Sequence, residues 1–278
     1  MKYLLVKALA GFGDRLESLK MCVKYAQDHN LKILVDWTDS TWCHDTESFY
    51  KYFSLDMPTF TIEEVEGLTV YPPYWKDRLR DKMTSELIKK EEVAIGRLLG
   101  TYPADVIVAT CDGIRSIFTE YAFFTKVFKV IDSRVIQEVK RRQQVYALST
   151  KWGIHLRGTD RAGGIDYKVN RITALGAKLV ANGIFNAKAV VVSDDEEYIR
   201  IWKTRWPDHP ILTSVTLNTN KGSHTVLNPE VSKDTLNVNL LVDFFTLASC
   251  SRIFTTAHDS RFAREAQKAK PNIKELLG

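Results

Sequence analysis

The chain has 278 residues and a mass of 31.8 kDa, enough for about two domains of ~150 residues and a sizeable core. Thirty-nine Lys and Arg against 34 Asp and Glu leave a net charge of +5, and only Lys140-Arg141-Arg142 gathers basic residues in one run. Composition therefore excludes nucleic-acid binding by a basic stripe, and 45% hydrophobic with 11% aromatic residues excludes disorder.

A short apolar run over Leu4–Ala8, flanked and interrupted by Lys2 and Lys7, predicts a buried first strand and is unlike a signal peptide. Gly11-Phe12-Gly13-Asp14 follows as a glycine turn, and Leu16, Leu19, Cys22, Val23 and Ala26 then recur at helical spacing. With a second strand at Lys32–Asp36 this makes a βαβ unit, whose strands are parallel and whose crossover is right-handed. Trp37–Pro73 is an irregular excursion rich in Thr, Asp, Pro and aromatics, and Trp75–Leu99 reads as helical. A strand at Val106–Ala109 and a long helix at Ser133–Leu148 complete a first domain, 1–148.

The alternation restarts at 149–278. The spacing predicts a strand at Trp152–Leu156, a loop Arg157–Asp166, a helix Tyr167–Asn182, a strand Lys188–Ser193 and a helix Asp195–Trp206. A strand Ile211–Thr213, a polar loop Asn218–Pro229, a helix Thr235–Ser249, a strand Arg252–Thr256 and a helix Ser260–Ala269 follow. The fold class is α/β, in two Rossmann-like domains, and the ligand crevice is expected beyond the carboxyl ends of the strands, at the loops after Ala8, Leu156, Ser193 and Thr256. No stretch approaches the ~18 uninterrupted apolar residues of a spanning helix, since Lys126, Lys129 and Asp243 break the best candidates. Cys22, Cys43, Cys111 and Cys250 form no CxxC pair, which predicts reduced thiols in a cytoplasmic protein.

Four segments carry chemistry. The Gly11–Asp14 turn offers backbone N–H groups to an anion at a helix start, or is a plain tight turn; it has neither the third glycine of a dinucleotide fingerprint nor a P-loop lysine. His155 and Arg157 lie two apart at the end of a strand and share a face, a pair suited to a nucleotide, with Arg157 clamping a pyrophosphate; the bland reading is an exposed edge strand with a surface salt bridge. In Ser193-Asp194-Asp195-Glu196-Glu197, Ser193 or Asp194 is expected to cap a helix whose dipole the acids complement. Ala257-His258-Asp259-Ser260-Arg261 opens a helix after a strand, either as an anion site or as a cap by Asp259 or Ser260. Asp243, inside an otherwise apolar helix, requires a partner, and a base edge or an internal arginine would serve. The chain has no Asp-x-Asp, HExxH or GxSxG motif, so no metal or other cofactor is expected.

Three separated blocks resemble the fucosyltransferase superfamily, which includes the bacterial nodulation α-1,6-fucosyltransferase, the animal core α-1,6-fucosyltransferases and the protein O-fucosyltransferases. They are Gly11–Asp14 with Ile33–Trp37; His155-Leu-Arg157-Gly-Thr159-Asp160-Arg161, similar to the family's His-x-Arg-x-Thr-Asp-Lys/Arg motif; and Val192–Asp195 with Asp243 and Thr256–Arg264. The resemblance implies a GT-B architecture of two domains facing a cleft, with 1–148 on the acceptor side and 149–278 holding GDP-fucose. It implies inverting, metal-independent transfer of fucose to a hydroxyl of a glycan acceptor. Donor contacts would come from Gly11, Phe12, Gly13, Asp14, His155, Arg157, Thr159, Asp160, Asp194, Asp243, Asp259, Ser260 and Arg261. Within that set Arg157 would neutralise the β-phosphate, His155 and Asp243 would contact guanine, and Ser260 would bond a phosphate.

The chain departs from the family at Gly158, where the core enzymes carry a second arginine, and at Asp259, where serine is common. At the position of the core enzymes' proposed glutamate base it has Ile165, which makes neighbouring Asp166 the catalytic-base candidate, with Asp14 and Asp160 as competitors. Another GDP-sugar as donor, or an inactive GDP- or glycan-binding module of the same fold, are the alternatives.

Overall fold

The computed structural model describes residues 2–90, 98, 100–110, 121–158, 164–183, 188–214 and 231–278. They form two compact units, 1–132 with 274–278 and 133–273. The expected boundary between 148 and 149 thus falls earlier, between 132 and 133. The reason is where the helix before it packs: its Arg142 and Gln143 bond to Thr246 and Ser249 of the second unit.

In the first unit, β1 (Tyr3–Lys7), α1 (Phe12–Asp28) and β2 (Lys32–Asp36) form the expected βαβ unit. The excursion after it contributes α2 (Phe49–Tyr52), β3 (Phe53–Leu55) and β4 (Val70–Tyr71). β5 (Val106–Thr110) completes a parallel sheet of order β2-β1-β5-β4, and β6 (Phe128–Val130) pairs antiparallel with β3. The helix expected over Trp75–Leu99 is not formed among the described residues, although Trp75, Leu79 and Met83 repeat every four residues. They are instead buried against Leu5, Val106 and Val108 from an irregular chain, with a single-turn 3-10 helix at Leu87–Lys89. Asp77, at φ 60°, breaks any helix there. Residues 91–97 and 99 of that segment lie outside the described ones.

Among the described residues, ion pairs of Lys7 and of Arg15 help to hold this unit, and neither was evident in the apolar pattern. Lys7, 1% exposed within β1, donates to Asp36 at 2.6 Å, because the strand register sets the two residues side by side. Arg15 forks onto Asp39 through two 2.8 Å bonds and lies over the rings of Trp37 and Trp42.

In the second unit α3 (Ser133–Tyr146) precedes β7 (Trp152–Leu156), α4 (Ile165–Ala181), β8 (Ala189–Ser193) and α5 (Glu196–Arg205). Then come α6 (Lys233–Ala248), β9 (Arg252–Thr255) and α7 (Arg261–Ala269), and α8 (Ile273–Leu277) returns the chain to the first unit. The sheet is parallel with order β8-β7-β9. The expected strand at Ile211–Thr213 is reduced to a single bridge from Ile211 to Val191. Ile154, Leu156 and Val191 pack on α4 and α5 through Ile172, Leu175, Tyr198 and Trp202. On the other face α6 lies so close that a Cβ on Gly153 would come within 2.9 Å of Leu247.

His209, 4% exposed against Trp202 and Trp206, has no partner for either ring nitrogen among the described residues. Burial disfavours the imidazolium and holds its pKa below 6.5. The unfolded chain therefore binds the extra proton first, so this contribution to stability is present above about pH 6.5 and is lost as pH falls below it. A His209→Gln variant is expected to show a flatter fall in urea midpoint between pH 7.5 and 5 than the wild type. Equal slopes would exclude His209 as the source.

Candidate functional site

Strand order locates a crevice in the second unit. The chain passes from β7 to β8 on one side and reaches β9 on the other, so the connections leaving β7 and β9 diverge at their carboxyl ends, the place where open α/β sheets bind ligands. His155, Arg157 and Gly158 arrive from β7, and Thr256–Ser260 from β9.

β7 is the central strand, so the outward-facing pair expected from sequence becomes a buried histidine followed by a half-buried arginine. His155 is 3% exposed. Its Nδ1 lies 3.4 Å from the hydroxyls of both Thr255 and Ser260, and its ring sits 5.3 Å from that of Phe262. Arg157 follows the strand. Its backbone N–H donates to Thr256 Oγ1 at 2.9 Å and its Nη1 to Asp194 Oδ2 at 2.7 Å, which leaves the side chain 21% exposed. Asp194 also accepts the Gly158 N–H at 2.8 Å, so one carboxylate aligns both the backbone and the head of the arginine.

The cap of α5 is Asp195 rather than Ser193 or Asp194. Its Oδ1 accepts the Tyr198 N–H at 2.9 Å, and its Oδ2 accepts Lys168 Nζ at 2.7 Å in a pair that is 0% and 7% exposed. Ser193 instead donates to the Leu156 carbonyl at 2.9 Å. Asp195 fills the space beside Gly158, where an added Cβ would lie 2.5 Å from the Asp195 Cβ and 2.6 Å from its Cγ. Any side chain at position 158 would meet Asp195.

Ser260 caps α7, its hydroxyl accepting the Ala263 N–H at 3.3 Å, and Asp259 is exposed just before it while Arg261 opens the helix half-buried. Of the two partners open to Asp243, the structure supplies the arginine. Arg142 Nη1 lies 3.3 Å from Asp243, which also accepts the Ser214 N–H at 2.8 and 3.0 Å. Arg142 in turn reaches Ser214, the Leu212 carbonyl and Glu138. Glu138 stays ionised down to about 2 because Arg141, with Arg142, donates to it.

In the first unit the turn expected at Gly11–Asp14 is already helix. Gly11 is the N-cap of α1, and Gly13 and Asp14 lie in the first turn, where Asp14 is half-buried. Phe12 faces the core, stacked on Trp42 and Phe53, so a donor contact from this residue falls to its backbone and not its ring. Asp166, expected in a loop, lies exposed in the first turn of α4. Thr159, Asp160 and Arg161 lie outside the described residues. Among the described residues no group of three or more His, Cys, Asp or Glu could hold a metal ion, and no helix is long and apolar enough to cross a membrane.

Lys168 was missed, although a signal was present. It opens the buried stripe Lys168, Ile172, Leu175 and Leu179, and a charge on an apolar helix face needs a buried partner, the argument that singled out Asp243.

Two α/β units built on parallel sheets in this way match the GT-B fold seen in fucosyltransferase structures. No family model matches the chain, and no curated protein matches it. Solved structures do. The fucosyltransferase NodZ from Bradyrhizobium is similar at a TM-score of 0.66 and 17% identity, covering 96% of this chain and 93% of its own. NodZ alpha-1,6-fucosyltransferase co-crystallized with GDP gives a TM-score of 0.65 at 17% identity over 96% and 92% of the two chains. An Arabidopsis thaliana FUT1 mutant in complex with GDP gives 0.59 at 16% identity, covering 97% of this chain and 68% of that one.

Proposed function

We propose that the chain is an inverting, metal-independent glycosyltransferase that moves fucose from GDP-fucose to a hydroxyl of a glycan acceptor. The observation that supports this most is the meeting of His155, Arg157 and the Ser260-capped start of α7 at one strand switch point, in a chain with the fold of NodZ, itself crystallised with GDP and soaked with GDP-fucose.

In this reading the second unit holds the donor and the first serves the acceptor. The acceptor oxygen attacks the anomeric carbon from the face opposite the diphosphate, the bond from that carbon to the β-phosphate oxygen breaks, and the acceptor proton passes to a carboxylate. Asp166 is the proposed base, with Asp14 and Asp160 as rivals. Arg157 meets the charge that develops on the leaving GDP, and because Asp194 already orients it, little reorganisation is needed at that moment. His155 and Asp243 are assigned to the guanine end, Asp243 through its grip on the Ser214 backbone, and Ser260 with Arg261 to a phosphate. The buried thiols of Cys22, Cys43 and Cys250, none of them in a disulfide, suit a reducing, cytoplasmic setting.

A panel of GDP-sugars tests the donor. GDP-fucose, added at about 100 times its dissociation constant, should stabilise the native protein by about 2.7 kcal/mol and be turned over in the presence of EDTA. Stabilisation by a different GDP-sugar alone would reassign the donor. Binding without turnover over a broad acceptor array would favour an inactive module.

A further inference from the structure

We infer that Arg171 of α4 is a further cation for the donor diphosphate, acting beside Arg157 and Arg261; this rests on the donor reading above. The β-phosphate gains charge as fucose departs and becomes a terminal phosphate of about −1.5 to −2 in the leaving GDP at neutral pH, whereas the positive charge of Arg157 is already shared with Asp194 at 2.7 Å. The charge left over calls for a cation beyond Arg157 and the Arg261 assigned above. Lys168 does not supply it, because Asp195 holds its ammonium at 2.7 Å in a buried pair and Glu197 stands 3.9 Å away.

Arg171 lies one turn further along the same helix. Its Nη1 is 3.5 Å from the carbonyl of Thr256, the residue whose hydroxyl accepts the Arg157 backbone N–H, so a single threonine ties both arginines to the carboxyl end of β9. Its Nε donates to the Tyr167 hydroxyl at 3.0 Å, and its guanidinium lies 5.0 Å from the centroid of the Tyr167 ring. These contacts orient the head without neutralising it. Arg171 has no carboxylate partner among the described residues and is half-buried, and no acceptor there meets its Nη2. An oriented, unneutralised fork at a strand switch point is the geometry that takes a phosphate bidentately.

The test compares Arg171→Gln with the wild type in calorimetric titrations with GDP and with guanosine, alongside melting without ligand. The expected result is a ~10- to 100-fold loss of GDP affinity, guanosine affinity within two-fold, an unchanged melt, and partial retention in Arg171→Lys, which keeps the charge without the fork. Unchanged GDP affinity, or an equal loss on guanosine, would overturn the role of Arg171 alone. A wild-type protein that binds no GDP would overturn the donor assignment, and this role with it.

Discussion

Replacing Arg157 by alanine is expected to lower turnover of GDP-fucose by about 10²- to 10³-fold, the usual cost of removing one fixed group that stabilises developing charge. The fold should survive. The side chain is one-fifth exposed, and Asp194 keeps the Gly158 N–H as a partner when the guanidinium is gone. Arg157→Lys should fall between the two, since a lysine keeps the charge but gives up the fork that meets Asp194 and phosphate together. Initial rates, with far-ultraviolet circular dichroism as the folding control, check both variants. A folded Arg157→Ala protein within two-fold of the wild-type rate would remove Arg157 from the leaving-group role.

The second large effect is expected at Gly158. Its added Cβ would lie 2.5 Å from the Asp195 Cβ, which is not the mobile end of a side chain but the root of a residue pinned twice, to Lys168 and to the start of α5. Either β7 moves away from α5 or Asp195 lets go of Lys168, and leaving one buried partner uncompensated costs ~3–5 kcal/mol. Gly158→Ala should therefore lower the melting temperature of the second unit by about 6–20 °C, at roughly 2–4 °C per kcal/mol. The mechanism has its own rescue. Asp195→Gly removes the offending Cβ at a position where a cap tolerates glycine, and Lys168→Met removes the charge left behind, so Gly158→Ala should cost far less in that double-variant background than in the wild type. Equal costs in the two backgrounds would refute the steric account.

Much of the fold was legible because it rests on local pattern. β2 and β7 fall on their predicted residues, and the helices of the second unit are found within a few residues of expectation, since strand and helix periods are written in neighbouring positions. The failures have physical causes of their own. Trp75, Leu79 and Met83 satisfy a helical spacing by packing an irregular chain on the sheet, and no local rule distinguishes that from a helix. The cap at α5 was expected at Ser193 or Asp194, one or two residues too early, and that at α7 was left undecided, because several adjacent side chains can each reach the same N–H and only the geometry of the turn selects Asp195 and Ser260.

The sequence by itself determined the α/β class, the restart of the βα alternation, and the candidates His155 and Arg157, each a matter of residue type at short range. Only the tertiary structure decided which charges remain available. Lys168 and Asp195, Arg157 and Asp194, and Arg142 and Asp243 are far apart along the chain and are paired by strand order and helix packing. A buried charge needs a partner, but its identity is set by what the sheet brings alongside. That is how Asp195 comes to exclude a side chain at position 158, and how Arg171, silent in the sequence, comes to share Thr256 with Arg157.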